Sequence, residues 1–91
     1  MSSFGDAQYH KIKQTYIKRG WRYQLSFYSR YVRIDEDRPI RVEVLSRHPF
    51  TKEDTALIFS TIKKAPPPAN LVLMIYDRSS NILDIVWSDV R

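Results

Sequence analysis

The spacing of apolar side chains changes at Gly20, and no other feature of the chain constrains the fold as much. On the N-terminal side of Gly20, apolar residues recur at helical spacing, at Tyr9, Ile12 and Tyr16. This spacing predicts a helix over residues 7–19. Glycine readily takes the left-handed conformation that ends helices. After it, apolar and polar side chains alternate, which predicts a half-buried strand. We expect one side of this strand to carry Trp21, Tyr23, Leu25 and Phe27, and the other to carry Arg22, Gln24, Ser26 and Tyr28.

Four further elements follow. Alternation at Ile40, Val42 and Val44 predicts a second strand. Thr51 and Asp54 have the spacing of a capping box, so a second helix is predicted to begin there and to end before the prolines at 66–68. The apolar run 71–76 indicates a central strand, and residues 82–87 are predicted to be its hairpin partner.

These elements predict an α+β fold with the order α-β-β-α-β-β. The expected architecture is an antiparallel four-stranded sheet with two helices packed on one face. We expect a single small domain over residues 1–91, in which residues 1–5 form a flexible N-terminus. Because so small a core buries little surface, the sequence leaves a homodimer open.

Composition excludes several kinds of site. The chain has no cysteine and only two histidines, His10 and His48. Disulfides and thiolate metal sites are therefore excluded, and we expect no cofactor and no metal. The longest apolar run is far shorter than the roughly 20 residues of a membrane helix. The first residues lack the basic and apolar regions of a signal peptide, so we expect a cytoplasmic protein without membrane contact.

Positive charge is concentrated in the first half of the chain. The net charge is +5 at pH 7. Residues 9–34 hold seven Lys or Arg and seven aromatic residues, and no Asp or Glu. Basic side chains interleaved with aromatic ones can follow a phosphate backbone and stack on bases, which favours nucleic-acid binding. A solvated basic helix face followed by a core-facing aromatic strand is the structural alternative.

We therefore predict a non-catalytic nucleic-acid-binding domain that contacts phosphates through the first helix and the first strand. RNA is favoured over DNA. The candidate contacts are Lys11, Lys18, Arg19, Arg22, Tyr28, Arg30, Tyr31, Arg33 and Arg41. Strand alternation would gather Arg22, Arg30, Arg33 and Arg41 on one face, provided that no bulge intervenes. For Arg41 the alternative is a salt bridge to Glu43.

Two short motifs carry a family resemblance. Lys18-Arg19-Gly20-Trp21 follows the first helix, and Val44-Leu45-Ser46-Arg47-His48-Pro49 precedes the second. With these motifs, residues 9–65 resemble HicA-type mRNA interferase toxins, which are small basic proteins with a fold like the double-stranded RNA-binding domain. The family's catalytic histidine position falls on Arg30, and the hairpin at 71–87 has no counterpart in the smallest members. The resemblance thus implies a basic face that docks on RNA without the cleavage chemistry.

Two other functions stay open at this stage. The same basic, tyrosine-rich face would suit an acidic protein surface, as in a toxin–antitoxin pair or a phage or plasmid inhibitor. A metal-free ribonuclease would need a general base, for which His48 is the candidate, although a ring bonded to a loop carbonyl is the simpler interpretation. Asp84 is interpreted as a solvent-facing carboxylate on the last strand.

Overall fold

The computed structural model describes residues 6–29, 39–66, 69–77 and 81–89. The elements are α1 (Asp6–Lys18), β1 (Arg22–Ser29), β2 (Ile40–Ser46), α2 (Lys52–Ile62), β3 (Leu71–Asp77) and β4 (Asn81–Ser88). The α+β class and the element order are confirmed. The N-terminus predicted to be flexible lies outside the described residues. No helix in the described ranges is long and apolar enough to span a bilayer.

The four strands form one sheet in the order β1-β2-β3-β4. Strands β1 and β2 pair antiparallel, as do β3 and β4, but β2 and β3 are parallel. The expectation of a wholly antiparallel sheet is therefore wrong for the central pair. The connection from β2 to β3 contains α2 and is long enough to cross one face of the sheet, which returns the chain to β3 in the same direction.

The two helices lie on opposite faces of this sheet, which corrects the prediction that both pack on one face. Ile58 and Ile62 of α2 join a core with the β2 and β3 side chains of one face, Ile40, Val42, Val44, Val72, Met74 and Tyr76. Tyr9 of α1 joins a second core with Trp21 and with side chains of the other face, Leu45, Leu71, Leu73, Ile75 and Val86. Two cores form because β3 is apolar on both sides, so each face of the sheet needs its own cover.

Helix α1 ends where the sequence predicts. The Gly20 N–H donates to the Ile17 carbonyl at 3.0 Å, and the Trp21 N–H donates to the Tyr16 carbonyl at 3.1 Å. With Gly20 at φ +94°, this is a Schellman motif. The rings of Trp21 and Tyr16 meet edge to face, with centroids 5.3 Å apart, and this contact completes the motif. The Schellman motif therefore ends α1 and leads the chain into β1.

Strand β1 contains a bulge that sequence reasoning missed. Tyr23 pairs with Leu45, but the next pair is Leu25 with Val44, so Gln24 is the extra residue. Side chains before the bulge therefore face opposite to the simple alternation. Tyr23 lies on the α1 face of the sheet with Ser26 and Tyr28, while Leu25 and Phe27 pack into the α2 core.

Candidate nucleic-acid interface

Helix α1 covers only part of its face of the sheet. It packs on side chains of β2, β3 and β4, and the β1 side chains beside it stay exposed. Tyr28 is 72% exposed and Tyr23 45%. We name this surface the tyrosine face and define it as Tyr23, Ser26 and Tyr28 of β1, Arg41 of β2 and Lys13 of α1.

Glu43 lies at the boundary between the tyrosine face and α1. Its carboxylate accepts a hydrogen bond from the buried Tyr9 hydroxyl. Lys13 Nζ lies 3.6 Å from one carboxylate oxygen, and Arg41 Nη2 lies 3.5 Å from the other. The Glu43 side chain is only 7% exposed, whereas that of Arg41 is 46% exposed. A buried anion thus holds two cations side by side at the margin of the face.

Tyr9 is the neutral member of this cluster. Burial, and then the hydrogen bond to Glu43, raise the pKa of Tyr9 far above its ordinary value. The phenol therefore stays protonated and serves as a fixed donor. Lys13 also lies over the Tyr9 ring, with Nζ 5.5 Å from the ring centroid. Since one carboxylate meets two cations, the cluster keeps a net positive charge.

A further cation lies near the start of β1. The Arg47 guanidinium lies 4.9 Å from the centroid of the Trp21 ring, which belongs to the α1-side core. Arg47 directly follows β2 and is exposed. Tyr23 pairs with Leu45 near the end of the β1–β2 ladder where Arg47 lies. Tyr28 pairs with Arg41 near the other end. Cations therefore flank the two tyrosines.

The structure brings together two of the predicted contacts on the tyrosine face and places the other described ones elsewhere. Tyr28 and Arg41 share the tyrosine face, and the salt bridge between Arg41 and Glu43 also forms. Arg22 pairs with Ser46 on the opposite face, so the prediction that alternation gathers it with Arg41 is wrong because of the bulge. Arg30, Tyr31 and Arg33 lie outside the described residues.

The helix candidates lie on another surface. Lys11 and Arg19 line an open groove of about 430 Å³ between α1 and β4, together with Asp84. Asp84 is half-buried at this open groove, so it is less exposed than a fully solvent-facing carboxylate would be. The Arg19 guanidinium lies 5.9 Å from the Tyr16 ring centroid. Lys18 is exposed at the last turn of α1.

His48 gains no support as a general base from its surroundings. It is exposed, and its backbone, not its ring, exchanges two 3.0 Å hydrogen bonds with the Ser46 hydroxyl. Over the described ranges, no three or more His, Cys, Asp or Glu side chains are grouped so as to hold a metal ion.

Sequence reasoning missed Tyr23 and Lys13 as members of the tyrosine face, and Arg47 as a cation at its end. Strict alternation predicts Tyr23 on the apolar side of β1, and the bulge at Gln24 turns it to the α1 face. Lys13 follows the apolar stripe of α1 at the spacing Tyr9 to Lys13, so it could have been recognised as facing the sheet. Arg47 carries no such signal, because its position over Trp21 depends on the tertiary fold.

Comparisons with protein-family models, with curated proteins and with solved structures find no match to this chain. The resemblance to the interferase toxins therefore stays a prediction.

Proposed function

We propose that the protein is a non-catalytic nucleic-acid-binding domain whose tyrosine face contacts the ligand. The observation that carries this proposal is the exposure of Tyr23 and Tyr28 on one open sheet face, beside Lys13 and Arg41. Exposed aromatic rings on a sheet are stacking platforms for bases, and neighbouring cations neutralise phosphates. The net charge of +5 adds a long-range attraction for a polyanion.

RNA is the ligand that we favour. Cellular RNA presents unpaired bases in loops, bulges and ends, which are the parts that aromatic side chains recognise. Each stacked base contributes about 1–3 kcal/mol to binding. The phosphate contacts supply affinity without sequence preference, so binding is expected to weaken as salt rises.

Binding of labelled RNA and DNA, followed by fluorescence anisotropy at low and at physiological salt, tests the proposal. The informative variant is Arg41→Gln/Arg47→Gln, which removes two cations that flank the tyrosines. Its matched control is Lys52→Gln/Lys64→Gln, which removes the same charge from exposed positions on and just after α2. We expect the first variant to lose roughly 100-fold more affinity than the control. Circular dichroism verifies that both remain folded.

Equal losses in the two variants would show that net charge alone drives binding and would contradict the assigned surface. Absence of binding at low salt would overturn the proposal. It would instead favour the alternative that this face binds an acidic protein surface. A gel of the same samples detects cleavage, which would contradict the non-catalytic assignment and return attention to His48.

A further inference from the structure

The tyrosine face has a geometry that suits unpaired nucleotides. This inference rests on the proposed function and specifies the form of its ligand. We infer that the face binds single-stranded nucleic acid in preference to a duplex. Tyr23 and Tyr28 offer their rings from an open strand surface, and the positions that they pair with, Leu45 and Arg41, are four residues apart on β2. At about 3.3 Å per residue, the two tyrosines stand roughly 13 Å apart along the sheet.

Two rings at this separation cannot both reach base faces in a duplex. Duplex bases follow each other about every 3.4 Å, and each face is covered by the next base. Only the base edges are open in the grooves. A single strand can unstack and extend, so that one base lies on Tyr23 and another on Tyr28. The exposed Ser26 hydroxyl between them offers a hydrogen bond to an intervening nucleotide.

Helix α1 gives the face a wall that also favours a single strand. Tyr9 joins α1 to the sheet through Glu43, and the same carboxylate holds Lys13 and Arg41 at the foot of the helix. Helix α1 therefore borders the tyrosine face on one side and rises about 10 Å above it, which is the diameter of a helix with its side chains. A single strand fits on the tyrosine face beside α1. A duplex would collide with α1 before the bases of the duplex reached the tyrosines.

Cations lie at both ends of this path. Arg47 follows Ser46 at one end of the β1–β2 ladder, and Arg41 lies at the other end. Arg41 lies in β2 and Arg47 just past its end, six residues further on, so the two cations stand at most about 20 Å apart. A path of this length matches a short ligand, on the order of four nucleotides, the small end of the range for single-strand-binding folds. The phosphates at its ends meet the cations, and its central bases meet the tyrosines.

The test compares one sequence in two forms. Labelled single-stranded RNA and DNA of about ten nucleotides, and hairpins or duplexes containing the same sequence, are titrated at physiological salt. We expect the single strands to bind roughly tenfold or more tightly than the duplexes. The RNA and DNA arms show which backbone is preferred, and preference for the single strand in either supports the inference.

Tyrosine variants connect this preference to the face. Tyr23→Ala and Tyr28→Ala should each lower single-strand affinity roughly tenfold, and duplex affinity much less. Tyr28→Phe keeps the ring and should retain the affinity. Leu83→Ala is the matched control, because Leu83 is 45% exposed on β4, as Tyr23 is on β1. Thermal unfolding verifies each fold.

The outcomes separate the inference from the proposed function. Equal or tighter duplex binding, or equal losses for both forms in the tyrosine variants, would overturn the single-strand preference while nucleic-acid binding stands. Failure to bind either form would overturn both.

Discussion

Tyr9 of helix α1 donates its phenolic hydrogen to the Glu43 carboxylate of strand β2, 34 residues further along the chain. This bond connects the helix to the sheet at the margin of the tyrosine face. Two cations, Lys13 and Arg41, share the same carboxylate. A buried carboxylate is tolerated when hydrogen bonds and opposite charges compensate for its lost hydration. The cluster therefore stabilises the fold and positions the cations that the proposed function uses.

Tyr9→Phe tests the contribution of this bond to stability. The variant keeps the ring in the core and removes only the donor, which leaves one Glu43 oxygen short of a partner. We expect the free energy of unfolding in urea to fall by about 1–3 kcal/mol. Tyr16→Phe is the control, because Tyr16 packs on the same core and no hydrogen bond of its hydroxyl is found within the described part of the chain. Equal stability of Tyr9→Phe and the wild type would contradict the role of this bond.

The raised pKa of Tyr9 predicts a loss of stability in alkali. In the unfolded chain the phenol loses its proton near the ordinary tyrosine pKa of 10.0, whereas in the folded protein it keeps the proton to higher pH. The protonated Tyr9 phenol therefore makes its full contribution to the free energy of unfolding below pH 10. This contribution falls by about 1.4 kcal/mol per pH unit as the pH rises above 10. Urea unfolding across this range should show a shallower decline in Tyr9→Phe than in the wild type. Parallel declines would contradict the prediction.

Glu43→Gln is expected to change stability and binding in opposite directions. The amide removes the counter-charge of Lys13 and Arg41, so the free energy of unfolding should fall by about 1–2 kcal/mol. Removal of a negative charge from the margin of the tyrosine face should raise nucleic-acid affinity by a factor of about three at low salt. Asp84→Asn is the matched control, since it removes the same charge from the groove between α1 and β4. A gain in affinity no larger than that of the control would argue against the location of the site.

Gly20 ends α1 at a positive φ, and this predicts the effect of a side chain there. An added Cβ would meet no atom within 4 Å, so crowding plays no part. The left-handed conformation alone should make Gly20→Ala less stable by about 1–2 kcal/mol. Gly20→Asn should lose less, because asparagine tolerates this conformation better. Thermal unfolding measures both changes, and an alanine variant as stable as the wild type would contradict the Schellman assignment.

Local signals predicted the elements well. Gly20 marked the end of α1, and Thr51 with Asp54 marked the start of α2, where both capping-box hydrogen bonds form. The apolar run 71–76 indicated a central strand, and all six of its residues are buried. Each of these signals involves residues close in sequence, whose spacing determines their contacts.

Global arrangement could not be predicted in the same way. Nothing in the composition of α2 shows that it crosses the sheet and makes β2 and β3 parallel. A single extra residue, Gln24, reverses the sides that Arg22 and Tyr23 take relative to the rest of β1. Of the contacts predicted from the sequence, Tyr28 and Arg41 therefore lie on the tyrosine face, and Arg22 does not. Tyr23 and Lys13 lie on this face although the sequence did not predict them as contacts.

The most direct test of the central claim is an NMR titration of the tyrosine and phenylalanine ring signals with a short single-stranded RNA. We predict large shifts for the rings of Tyr23 and Tyr28, and little change for Phe27, which lies on the same strand but faces α2. Shifts confined to Phe27 or to residues of the groove between α1 and β4, or no shifts at all, would contradict the account.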